Sequence, residues 1–126
     1  DALRINWTKS DGDYLRISSA KPNDMARQSN GAMELTFNAK SFTGSDTVVQ
    51  IGQCDASATC DNTLDITISG EWNEYRISLS CFEKLGVDMT NITSALVIKA
   101  RKGVDIGLGN VRLESDLDAK PGCDGN

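Results

Sequence analysis

Histidine is absent from this 126-residue chain, and aromatic residues are scarce, at two tryptophans, two tyrosines and three phenylalanines. Without histidine there is no Ser-His-Asp or Cys-His arrangement and no side chain that ordinarily titrates near neutrality. Zinc would have to be held by cysteines and carboxylates alone. Basic residues are not in excess: thirteen Lys and Arg stand against eighteen Asp and Glu, a net charge of -5. The clustered cationic surface on which phosphate recognition rests is therefore missing, which argues against a nucleic-acid partner. No apolar run reaches membrane-spanning length and no charged-then-apolar leader opens the chain. Both absences suit a soluble mature protein or an excised module, and the strand-like start at Asp1 favours the excised module.

What the chain does have is short alternation. No window keeps an i, i+3, i+4, i+7 apolar pattern beyond about two turns, whereas Leu3, Ile5 and Trp7 alternate with polar neighbours, as do Leu15 and Ile17, Met33, Leu35 and Phe37, and Leu64, Ile66 and Ile68. Tyr75, Ile77 and Leu79 continue the pattern and stop at a Cys-Phe step that predicts a short helical turn over 81–86, ended by Gly86. Thr47 to Gln53, apolar at both Val48 and Val49, reads as a central strand covered on both faces. Ser10 to Asp13 is a turn, and residues 20–31 are the longest connection. Ala95–Ala100, Val104–Leu108 and Val111–Leu113 read as three closing strands, with Arg101-Lys102-Gly103 a hairpin turn. About nine strands with turns every eight to twelve residues predict an all-β, two-sheet antiparallel sandwich over 1–115, followed by a flexible tail or linker remnant over 116–126.

Four cysteines stand at 54, 60, 81 and 123. The first pair flanks a five-residue polar loop that a hairpin can close as a disulfide, given an oxidising compartment. Cys-x5-Cys without a second matching pair is a poor metal knuckle. For the other two, a Cys81–Cys123 bridge and a buried free thiol beside a tail cysteine are both open.

The segment Trp72 to Gly86, together with the strand ending in Trp7, Asn30-Gly-Ala-Met-Glu-Leu-Thr-Phe37, the Cys54/Cys60 pair before Leu64-Asp-Ile66, and the closing Val104 to Leu113, resembles the C-terminal β-sandwich of bacterial family-three exo-β-glucanases and β-glucosidases. That resemblance implies a galactose-binding-like jelly roll that accompanies a catalytic barrel and helps to hold β-glucan, in the periplasm or outside the cell. It also implies a structural calcium, with Asn110 at the position of an oxygen ligand.

A sugar site needs an aromatic platform and hydrogen-bonding side chains around it. Parity turns Tyr14 and Arg16 away from Leu15 and Ile17, which makes them the candidate platform and donor. Trp72 starts its strand off the apolar parity. Trp7 ends an inward series, which favours the core, yet near a strand end its ring can also reach a loop-lined groove. Arg27 in the long connection and Gln50 on the central strand complete the polar set. Carboxylates are abundant at Glu34, Asp65, Glu71, Glu74 and Glu83, but so small a chain leaves little room for a deep cleft around two tuned acids. The expected function is thus a non-catalytic module that binds β-glucan beside a linked glycoside hydrolase. The alternative is a structural domain that packs on the hydrolase without binding sugar.

Overall fold

The structure, a computed structural model, describes residues 2–7, 14–25, 33–56, 60–115 and 123. Along them run β1 (Ala2–Asn6), β2 (Tyr14–Asn23), β3 (Met33–Ser41), β4 (Thr47–Asp55), β5 (Thr63–Ile68), β6 (Asn73–Ser78), helix α1 (Leu79–Lys84), β7 (Ile92–Lys99) and β8 (Asp105–Ser115). They form two four-stranded sheets, ordered β1-β8-β3-β6 and β2-β7-β4-β5, antiparallel at every pairing.

Alternation decides which face of each strand is buried. In the first sheet Leu35 lies opposite Ile77, and Phe37 opposite Tyr75. In the second, Val49 lies opposite Ile66, and Ile51 opposite both Leu64 and Ile98. These inward rows meet in one core, to which Leu96, Ile106 and Leu108 also belong. Phe37, fully buried, stacks on Tyr75 with ring centroids 5.6 Å apart. Burial of such a ring contributes about 2 to 3 kcal/mol. The Tyr75 hydroxyl accepts the Ser69 N–H at 2.9 Å, so its polar end is satisfied where the ring leaves the core.

Several sequence expectations change. The two last predicted strands are one: β8 runs through Asn110, which sits at φ 52 as an extra residue between the Thr36–Arg112 and Asn38–Gly109 pairs. That bulge flips the side-chain parity, and a flip in parity looks like a strand break in sequence. Eight strands are therefore described rather than nine. Arg101-Lys102-Gly103 is not a hairpin turn, because β7 and β8 belong to different sheets. It is an arch across the sandwich edge, with Gly103 at φ 95 and its N–H donating to the Trp7 carbonyl at 2.8 Å. β2 continues through Pro22 to Asn23, shortening the connection expected at 20–31. β4 is internal as expected, but Val48 is exposed, so the strand is not covered at that point. The helical turn begins at Leu79, and Gly86, at φ 101, follows its end. The turn expected at Ser10–Asp13 lies outside the described residues.

Both disulfides form. Cys54 bonds Cys60 across the β4–β5 connection, and Cys81 of α1 bonds Cys123, with α-carbons 4.7 and 5.7 Å apart. The second bond ties the segment after β8, read from sequence as a loose tail, to the helix at residue 123.

Candidate functional site

Strand register brings two of the sequence candidates into one row. Tyr14 of β2 pairs with Lys99 of β7, Lys99 with Gln50 of β4, and Gln50 with Asp65 of β5, so these four residues cross the second sheet from edge to edge. Ile51 and Ile98, one step along, face the core, which places Gln50 and Lys99 on the sheet's outer face. In the next row but one Arg16 stands opposite Val97, Val97 opposite Gly52, and Gly52 opposite Thr63. On the other side of Gln50 the sheet carries the exposed Val48 and Thr67. Across four strands this row spans roughly 14 Å at about 4.8 Å per strand.

The row is held at both levels. Lys99 Nζ donates to Asp61 Oδ1 at 3.2 Å, and Asp61 follows Cys60, which the disulfide fixes to β4. A Cβ at Gly52 would come within 2.9 Å of the Asn62 carbonyl oxygen, so the same connection lies close over the sheet and requires glycine there. Along β7 there is an extra residue: Ile17 pairs with Leu96 but Ser18 with Ser94, leaving Ala95 over. Gln53, buried, donates its amide to the Ala95 carbonyl at 3.0 Å and pins that bulge. The surface therefore presents an amide, an ammonium and a carboxylate with an aliphatic neighbour. Such groups donate to and accept from hydroxyls, and nothing in the row resembles a pair of tuned acids.

The remaining candidates disperse. Trp7 is core, 3 % exposed, because its backbone exchanges hydrogen bonds with residues 103 and 104 and so extends the β1–β8 pairing with its ring on the Ile5 side. It is corrected from a groove residue to a structural one. Arg27 lies outside the described residues. Trp72 is 46 % exposed, but on the opposite sheet, edge-on to Phe42 with centroids 6.4 Å apart. Sequence reasoning missed Phe42, Lys40 and Arg4, which surround it. The signal was present, since Lys40 and Phe42 continue the outward parity of Thr36 and Asn38 on β3.

The other end of the first sheet's outer face is occupied by its own ion pairs. Arg76 binds Glu34 at 3.1 Å, and Arg112 binds both Glu74 at 2.7 Å and Glu114 at 2.6 Å. Hydrogen bonds to Glu114 and Glu74 raise the Arg112 pKa still further. These charges are mutually satisfied and offer no open donor set.

At Asn110 the main-chain carbonyl accepts from Arg112 Nη1 at 2.8 Å, so that one of its two oxygens already faces a cation. Among the described residues no group of three or more Asp, Glu, Cys or His side chains is placed to hold a metal ion.

The chain is similar over most of its length to known sandwiches. It aligns with the family 30 carbohydrate-binding module of the cellulosomal cellulase Cel9D-Cel44B of Clostridium thermocellum at 19 % identity and TM-score 0.64, covering 93 % of this chain and 76 % of that one. The family 11 carbohydrate-binding module from Clostridium thermocellum, solved with a β-1,3-1,4-mixed-linked tetrasaccharide, aligns at 19 % identity and TM-score 0.58, covering 94 % and 76 %. The exo-1,3/1,4-β-glucanase of a Pseudoalteromonas species aligns at 15 % identity and TM-score 0.66, covering 96 % of this chain but 15 % of that enzyme. No curated protein matches the chain. At such identities these likenesses speak for the fold; the Exop_C family model, galactose-binding domain-like, matches residues 1–113. The chain accordingly belongs to that galactose-binding domain-like family.

Proposed function

We propose that this module binds β-glucan on the outer face of the β2-β7-β4-β5 sheet and holds it beside a linked glycoside hydrolase. The observation that carries the reading is the register that aligns Tyr14, Lys99, Gln50 and Asp65 across all four strands. In this role Tyr14 offers an aromatic ring to the apolar face of a pyranose, and Gln50 both donates to and accepts from ring hydroxyls. Lys99 donates, Asp65 accepts, and Arg16, farther along β2, adds a planar set of donors. A hydrolase tethered to such a module meets its polymer at a raised local concentration. Two disulfides suit an oxidising setting, the periplasm or the cell exterior. The likeness to a module solved with a mixed-linked glucan tetrasaccharide and to part of an exo-1,3/1,4-β-glucanase supports β-glucan as the ligand.

Isothermal titration with mixed-linked β-glucan, laminarin, cello-oligosaccharides and xylan tests this. Tyr14→Ala and Gln50→Ala should each weaken glucan binding by ~1 to 3 kcal/mol. The stability of Tyr14→Ala should stay within about 0.5 kcal/mol of the parent. Folded protein that gives no heat with any of the four polymers would overturn the reading in favour of a purely structural domain.

A further inference from the structure

The opposite face of the sandwich carries a second arrangement that the row on β2-β7-β4-β5 does not use. Trp72, on the turn between β5 and β6, reaches over β8: a Cβ at Gly107 would lie 2.7 Å from its Cη2 and 3.0 Å from its Cζ2. Only a residue without a side chain leaves room for the indole there. Phe42 stands at 86° to that ring, and the Arg4 guanidinium lies 4.3 Å from the Phe42 centroid. Arg4 is itself held by two hydrogen bonds to Asp105, at 2.8 and 3.0 Å. The Trp72 turn is braced too, since Ser69 Oγ bonds the Glu71 backbone and accepts from Asn73. An exposed aromatic is thus fixed from several sides.

Register places Arg4 and Lys40 on either side of Gly107, and Ala2 and Asn38 on either side of Gly109. β8 contributes no side chain at these two positions: the Trp72 and Phe42 rings lie over Gly107, and beside them Gly109 leaves a flat floor between Ala2 and Asn38. Lys40 Nζ lies 5.2 Å from the Phe42 ring and pairs with no carboxylate among the described residues. Its ammonium is available to a ligand.

We infer that this floor is a second saccharide site, in which a pyranose ring packs on Trp72 and its hydroxyls meet Lys40 and Asn38. The size of the patch decides between a sugar and a protein partner. Trp72 and Phe42, 46 % and 37 % exposed, show together roughly 200 Å² of surface, against about 800 Å² per partner in a stable protein interface. That area matches a sugar ring bordered by polar groups. The two sites lie on outer faces of different sheets, so one module can hold two glucan chains at once. The choice of β-glucan as ligand rests on the function proposed above; the position of the site does not.

The test is titration of the 126-residue protein with a β-1,3-1,4-mixed-linked tetrasaccharide, paired with turbidity of a soluble mixed-linked glucan. Two equivalents should bind the parent, and the polymer should be cross-linked. Trp72→Ala should reduce binding to one equivalent, with the remaining affinity unchanged, and abolish the turbidity. Gly107→Ala should weaken the same equivalent at least tenfold by displacing the indole. Gln50→Ala should remove the other equivalent and spare this one. A single equivalent in the parent that Gln50→Ala removes and Trp72→Ala leaves intact would overturn the second site alone. A parent that binds no saccharide would overturn both sites.

Discussion

The side-chain amide of Gln53 donates to the backbone carbonyl of Ala95 at 3.0 Å, joining a buried β4 residue to the one residue of β7 that the register with β2 skips between Leu96 and Ser94. The carbonyl of half-buried Ala95 is satisfied by this contact, and leaving it without a donor is costly. Replacing Gln53 with Leu keeps bulk but orphans the carbonyl, so the variant should lose about 1 to 3 kcal/mol of stability. Urea denaturation of Gln53→Leu against the parent gives the answer. An unchanged midpoint would mean that the bulge is held by other means.

Asn110 provides a second test of a bulge. Its φ of 52 is a conformation that β-branched residues resist and glycine adopts freely. Asn110→Val should cost about 1 to 2 kcal/mol in chemical denaturation, while Asn110→Gly should stay close to the parent. Since the hydrogen bond from Arg112 reaches the main-chain carbonyl, both variants retain it.

Asp105 beside Arg4 supplies a pH dependence. The guanidinium's hydrogen bonds hold the Asp105 carboxyl below its usual value. A group depressed on folding adds stability that is present above its unfolded pKa, about 3.9, and is lost as pH falls through the lower folded value. Asp88 behaves alike, its carboxylate accepting from Thr90 and Asn91. The gap in melting temperature between parent and Asp105→Asn should therefore be constant from about pH 7 down to pH 5, and close below about pH 4. A gap that persists at about pH 2 would assign the effect of the substitution to geometry rather than charge.

The disulfides differ in the length of chain they close, a separation of 6 residues against 42. In the chain-entropy account the Cys54–Cys60 bond contributes about 2 kcal/mol and Cys81–Cys123 about 4 kcal/mol. Removal of the second pair as Cys81→Ala/Cys123→Ala should lower the denaturation midpoint more than Cys54→Ala/Cys60→Ala. Equal losses would show that local packing at Cys54, which is fully buried, outweighs loop closure.

Alternation made the core legible wherever strands are regular. Leu35 and Phe37, and Tyr75 and Ile77, carry the same parity in sequence and turn out to face one another in register. The β4–β5 connection was equally readable, because a five-residue loop between two cysteines leaves few geometries. Other features escaped. The Arg101-Lys102-Gly103 turn has the chemistry of a hairpin, and a local turn does not reveal whether its flanking strands pair or part to different sheets. The Tyr14, Lys99, Gln50 and Asp65 row also depends on long-range register, which residues 14, 50, 65 and 99 do not encode locally. Outward parity on Lys40 and Phe42 was there to be read, but their neighbour Trp72 arrives from a separate turn.

The extra residue at 110 divides β8 into two halves of opposite phase. Before it, Ile106 and Leu108 lie in the core; beyond it, Val111 packs against the same core, although an odd number of positions separates it from Leu108. Deletion of that one residue would leave Leu108 and Val111 two positions apart on one face, so that regular alternation would keep Val111 turned inward and Arg112 and Glu114 outward. Loss of one residue here would thus be far less damaging than the same loss within β3, which pairs with β6 without an extra residue to give up and whose side chains would change faces.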